Sequence, residues 1–215
     1  MKRRHLAGVT IAGLLVLGVA SAVAGTAAAA GRTLTVGKSG AQYRTIQAAA
    51  DASRPGDTIL ISAGRYQEAL KPRSGAAGRE ITYRAAAGAR VVLDGKKTLK
   101  SGNGLLNLDG TSWLRFDGIA VTKSPAHGVY GNQTKHITFT RCEVSSSSDG
   151  GLVLVNSSDL MVDGCDIHHN NDKAPARTTR RCRSRTARGS TSGTIMCTTT
   201  GRKGSTPSTA TTRPA

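Results

Sequence analysis

The sequence predicts an all-β chain of the solenoid kind, a parallel β-helix, and three observations predict it. First, one pattern is spelled three times: WLRFDGIAV at 113–121, HITFTRCEV at 136–144 and DLMVDGCDI at 159–167, so that Leu114, Ile137 and Leu160 recur at one constant step. Second, Leu106, Val129 and Leu152 keep the same 23-residue step in a second strand-like segment. Third, Leu114/Phe116, Ile137/Phe139 and Leu160/Val162 alternate with Arg115, Thr138 and Met161, the two-residue period of a strand. A fixed period of this size marks a solenoid, in which no repeat buries its apolar face alone. About 23 residues with two or three short strands and Gly, Asn and Ser corners make one β-helix coil. A leucine-rich repeat of similar length needs a Leu-x-x-Leu-x-Leu run and a regular Asn or Cys corner, and neither is present.

Residues 1–30 read as a signal peptide rather than as part of the fold. Lys2, Arg3 and Arg4 lead an apolar run over 6–23, and Ala28, Ala29 and Ala30 offer small residues for cleavage before Gly31. The competing reading, an uncleaved anchor, lacks a positive cluster after the apolar run. The expectation is a secreted, monomeric protein with no membrane association once the signal is cleaved.

Residues 31–172 read as the β-helix domain, and LTVG at 34–37 reads as its leading strand. Residues 43–52 are helical in character: Thr45 can cap, and Ile46, Ala49 and Ala50 form a small apolar stripe. An open solenoid end exposes unpaired backbone, and this short helix is placed to cover it. Pro55, Gly56 and Asp57 make a turn before the strand TILI at 58–61. ITY at 81–83 and VVLDG at 91–95 continue the strand rhythm, giving four or five coils in all. Export permits disulfides, and Cys142 and Cys165 stand in equivalent positions of successive repeats. Two readings follow: stacked core thiols, or a disulfide across neighbouring rungs, whose spacing of roughly 4.8 Å lies within disulfide reach.

The order of motifs YRTIQAA at 43–49, PGDTI at 55–59, GRYQE at 64–68, ITYRA at 81–85 and VLDG at 92–95 resembles the N-terminal cap and first coils of secreted right-handed β-helix proteins of the pectate lyase superfamily. The resemblance covers about 34–172 and implies a right-handed coil. The same scaffold carries lyases, hydrolases, epimerases and non-catalytic surface proteins, so it implies a fold before a function.

The register stops after Asp172. Its next apolar positions hold Pro175 and Arg183, and residues 173–215 contain ten Lys or Arg and no acid. Of 30 basic residues, three lie in 1–30 and ten in 173–215, leaving 17 against 13 acids, a net +4 for 31–172. The formal +17 therefore belongs mainly to the two ends and is no nucleic-acid signature. The tail reads as disordered, or as a basic arm for an anionic polymer, or as an out-of-frame translation of a longer gene. The last is favoured, because shifting the frame turns each Thr codon into one for Tyr, His, Asn or Asp.

Lyases of the resembled superfamily abstract a proton beside a uronate carboxylate, with a bound Ca²⁺ and a Lys or Arg base, which implies acidic polysaccharide as partner. Such a site needs carboxylates converging on one outward face for the hard cation and a base of lowered pKa. The outward candidates are Asp149, Asp163, Asp166 and Asp172, with Lys123, Lys135 and His168 in neighbouring repeat positions, and Asp166 beside His168 leads them. The ordinary alternative for each is a corner-capping or solvated role. The expected function is a polysaccharide lyase-like protein whose present chain is incomplete and inactive. The alternative is a non-catalytic carbohydrate-binding β-helix, which the single Trp113 and 3% aromatic content weakly disfavour.

Overall fold

The structure, a computed structural model, describes residues 31–96, 98 and 102–171, together with the backbone of 193–197. The expected signal peptide at 1–30, Asp172 and most of the tail lie outside the described residues. Among the described residues no helix is long and apolar enough to cross a membrane.

Among the described residues the chain winds as a parallel β-solenoid with one short helix. Its strands are β1 (Thr33–Val36), β2 (Thr58–Ile61), β3 (Gly64–Tyr66), β4 (Ile81–Ala85), β5 (Val91–Asp94), β6 (Gly104–Asn107) and β7 (Ser112–Asp117). There follow β8 (Ile119–Thr122), β9 (His127–Asn132), β10 (Lys135–Thr140), β11 (Glu143–Ser145), β12 (Leu152–Asp163), β13 (Asp166–His168) and β14 (Gly193–Cys197). They form three ladders. Sheet A stacks β1, β2, β4, β7, β10 and the second half of β12, all parallel. Sheet B stacks β3, β5, β8, β11 and β13. Sheet C stacks β6, β9 and the first half of β12. Six strands in sheet A mean six rungs rather than the four or five expected, because β1 and β2 pair in full although their spacing falls outside the 23-residue register.

The repeat is set by its corners. Non-glycine residues at positive φ recur in rows at the repeat spacing: Trp113 (59°) and His136 (54°) with Asp159 (54°), and Lys123 (53°), Ser146 (56°) and His169 (50°). Gln133 (56°) and Asn156 (50°) follow Gly110 (67°) in a third row, and Gly118 (72°), Arg141 (51°) and Gly164 (59°) make the fourth. A left-handed residue redirects a strand sharply within one position, so each row is one edge of the solenoid.

The alternating residues fill the inside. Leu114, Phe116, Ile137, Phe139, Leu160 and Val162 are all buried, as the register requires. Tyr83, Phe116 and Phe139 stack ring on ring, with centroids 5.0 and 5.1 Å apart. Such in-register stacking combines apolar burial with favourable aromatic geometry.

The helix α1 (Ile46–Ala52) is shorter than expected, because Thr45 is extended (φ −126°, ψ 152°) and serves as its cap. Tyr43 instead bridges Val36 in parallel fashion. Ile46, Ala49 and Ala50 are buried against the first two rungs. The helix N-terminus is satisfied from the chain and from afar: Ala48 donates its N–H to Thr45 Oγ1, while Ile46 and Gln47 donate theirs to the Glu68 carboxylate at 2.8 and 2.9 Å. These are the orphan donors every helix start must place.

Cys142 and Cys165 are buried thiols stacked on successive rungs, the arrangement that both readings require. Strand β14 lies within the stretch that the sequence reading treats as unstructured, pairing antiparallel with β12 from Leu152 to Ser157.

Candidate functional site

A longer corner in one early coil shapes the surface. In the regular coils a single left-handed Gly118 leads from Asp117 at the end of β7 to Ile119 in β8. In the coil before, Arg84 aligns with Asp117 and Val91 with Ile119, so residues 86–90 are additional at the same corner. This bulge becomes one wall of a groove of about 280 Å³ lined by Gly88, Ala89, Arg90, Val91, Gly118, Ile119, Ala120, Arg141 and Glu143.

Two guanidiniums border that groove, and both are held by carboxylates. Arg90 Nη2 donates to Glu143 Oε2 at 3.3 Å, with 76% of the arginine side chain exposed. Arg141 Nη2 donates to Asp117 Oδ1, and Arg84 Nε reaches Asp117 Oδ2 at 3.6 Å from the opposite side. Asp117 is buried, so it clamps three successive rungs while the Arg141 side chain stays 69% exposed. A guanidinium carries five donors, and one paired carboxylate leaves several for a second acceptor.

Beyond Glu143 the outward face of sheet B continues onto β13. Glu143 pairs in register with Asp166, and Ser145 with His168. His168 Nε2 stands 3.6 Å from Glu143 Oε1 and 4.0 Å from Asp166 Oδ2. Ser145 Oγ donates to Glu143 Oε1 at 3.2 Å. The expected pair Asp166 and His168 is therefore brought together, around a carboxylate, Glu143, that the sequence reading passed over.

Of the other described candidates, Lys123 borders sheet B, its N–H donating to the Ser145 carbonyl at 3.2 Å, and the rest stand at other positions of the coil. Lys135 opens β10 on sheet A with Ser112 and Ser158 as its neighbours, an exposed position on another side of the coil. Its strand belongs to a different sheet from that of Asp166. Lys123 is exposed at a left-handed corner, and Asp163 is exposed at the end of β12 beside Thr140. Asp149 is half-buried in the corner after β11, where its N–H donates to the Ala126 carbonyl at 3.2 Å.

Among the described residues, those around Glu143 do not fit the Ca²⁺ ion that the resemblance implies. Such an ion takes six to eight oxygens, and the oxygens of Glu143 are engaged by Arg90 and Ser145. Among the described residues no three His, Cys, Asp or Glu side chains gather as a metal-holding group. What the arrangement offers is a cationic border to a groove, next to a carboxylate-imidazole cluster.

Arg90, Arg141 and Glu143 had one legible signal between them. Arg141 interrupts a glycine row, standing one full repeat after Gly118 and one before Gly164. A long cation in a left-handed slot that its equivalents fill with glycine is a local cost, and here it provides the clamp on Asp117. The bulge at 86–90 precedes the strict register and is marked only by the loop-like run AAAG at 85–88.

A family model described as the Pel9A-like, right-handed beta-helix region matches residues 26–189. Among solved structures, a pectin methylesterase from Aspergillus niger aligns with a TM-score of 0.51 at 21% identity, covering 63% of this chain and 50% of that one. Pectate lyase Pel9A aligns with a TM-score of 0.45 at 16% identity, covering 66% of this chain and 48% of that one. The chain thus spans about half the length of the structures it matches. No curated protein sequence matches it.

Proposed function

The chain belongs to the Pel9A-like right-handed β-helix family, and from that premise we propose that it is a polysaccharide lyase-like protein whose described coils bind a uronic-acid polymer without completing a lyase centre. The observation that carries the reading is the groove bordered by Arg90 and Arg141. Both side chains are largely exposed at one corner of the solenoid, and a linear polymer of carboxylated sugars presents acceptors at regular intervals. The family shares its name with a pectate lyase, which supports the substrate class. The apolar leader at 1–30 supports an exported protein acting outside the cell.

Catalysis is a separate matter. A lyase centre needs a placed base and a charge-stabilising group on the same face, whereas the Arg90 guanidinium is held by Glu143 and Lys135 stands on sheet A. Ultraviolet absorbance of unsaturated uronide should therefore not rise when the chain is mixed with pectate or alginate, with or without added Ca²⁺. Binding should persist. Calorimetric titration with oligogalacturonate should show salt-sensitive association, and Arg90→Ala should weaken it roughly tenfold, the equivalent of one charge-assisted hydrogen bond of about 1.4 kcal/mol. Clear Ca²⁺-dependent turnover would overturn the incomplete-centre reading; unchanged affinity in Arg90→Ala would overturn the groove. A purely binding β-helix is the second reading, favoured by Arg90 and Arg141 each being paired with a carboxylate. It predicts the same affinity, and no turnover even from a longer form of the protein.

A further inference from the structure

We propose that Cys142 and Cys165 close into a disulfide that staples the fifth rung to the sixth when the chain folds in an oxidising compartment. The flanking residues fix the geometry. Thr140 pairs with Asp163 and Phe139 with Val162 before the two cysteines, and Glu143 pairs with Asp166 and Val144 with Ile167 after them. The cysteines are thus held opposite one another, one strand spacing of roughly 4.8 Å apart, within the Cα separation that a disulfide spans. Both are buried in the core row that begins with Ile119. Cys142 donates its N–H to Cys165 Sγ at 3.3 Å, which places the second sulfur directly over the first cysteine.

The two thiols are not equivalent. Contact with Cys165 and burial push the Cys142 thiol up, whereas the thiol of Cys165 is drawn down mainly by its contact with Cys142. During folding one thiolate, that of Cys165 for example, attacks one sulfur of a low-molecular-weight disulfide, forming a mixed disulfide and expelling one thiolate. Cys142, giving up its proton to solvent base, then attacks Cys165 Sγ and expels the second. Two protein thiols are oxidised and the external disulfide is reduced to two thiols. Both residues are about 5% exposed or less, so the exchange belongs to folding, before the core closes.

The sequence makes the test direct. Trypsin releases residues 142–173 as one peptide, since no Lys or Arg lies between Arg141 and Lys173. The full chain, refolded with reduced and oxidised glutathione, is alkylated in denaturant, digested without reductant and weighed. The expected result is that peptide unalkylated and lighter by two hydrogens, with a urea midpoint that falls when the same sample is reduced. A doubly alkylated peptide, a glutathione adduct, or a link to Cys182 or Cys197 would overturn the proposal. Where refolding yields little, the same digest of chain purified from an oxidising compartment gives the same two outcomes.

Discussion

In rungs four to six, each core side chain sits on its own copy from the neighbouring coil, whereas rungs one to three are tied together by charged side chains reaching between coils. The early steps are uneven: Thr33 pairs with Thr58, Thr58 with Thr82, and Ile81 with Leu114, so the step changes from one rung to the next. The later steps are constant, as Leu114, Ile137 and Leu160 show. In the uneven part, Arg32 donates to Asp57 Oδ2 at 2.6 Å, and Arg65, paired with Asp94, ties two coils of sheet B together. In the even part the ring stack of Phe116 on Phe139 lies inside, beside the Arg141–Asp117 pair outside, and the constant step fixes the rungs. The comparison teaches that a solenoid can vary its coil length freely so long as something other than repetition fixes the rungs. It also places the groove, which lies where an uneven coil, carrying residues 86–90, abuts an even one.

The largest effect should come from breaking the repetition. Phe139→Ala should cost about 3–5 kcal/mol in urea unfolding, the usual range for a buried aromatic, and should loosen rungs four to six together. A loss under about 1 kcal/mol would mean that the ring stack is not what holds the even coils.

Next is the clamp of the uneven part. Asp57 is buried and accepts from Arg32 N–H, from the Arg32 guanidinium and from Arg54 N–H at 2.9, 2.6 and 2.8 Å. Asp57→Asn should cost about 1–3 kcal/mol, and hydrogen exchange should show the loss in β1, β2 and α1 while β10 and β12 stay protected. Uniform loss across all six rungs would erase the distinction between the two regions.

How much of this was legible follows the same line. Where the register is strict, the sequence reveals strand, face and partner residue by residue, down to Ile137 lying between Leu114 and Leu160. Where it is not, only local signals remain: Thr45 as a helix cap was readable, but Glu68, which caps the same helix from the next coil, was not. The site suffered likewise. Asp166 and His168 come together because they lie two apart on one strand, whereas Lys135 stands on another sheet, which repeat position alone does not reveal. Arg90 and Glu143 meet from separate coils, a pairing no short-range pattern encodes.

Acid should separate the regions without mutation. Burial alone would raise the carboxyls of Asp57 and Asp94, but the donors from Arg32, Arg54, Arg65 and Lys96 outweigh it and hold both below the ordinary carboxylate value. A depressed carboxyl contributes stability that is present above its unfolded value of about 4 and is lost as pH falls through the folded one. Thermal unfolding followed by hydrogen exchange at about pH 6 and about pH 3 should thus show rungs one to three losing protection first. Equal loss in the even rungs would contradict the assignment.

A smaller effect is expected at Glu68. Glu68→Ala should cost about 0.5–2 kcal/mol, the range of a lost helix cap, read as faster exchange of the Ile46 and Gln47 amides with no change in the even rungs.

If the mismatch between uneven and even coils forms a groove for an acidic polymer, bound oligogalacturonate should leave a hydrogen-exchange footprint there. Protection should be confined to residues 86–91, 118–120 and 141–143 and be lost in Arg90→Ala. Protection centred on sheet C or on the corner row of Trp113 and His136, or none at saturating ligand, would contradict it.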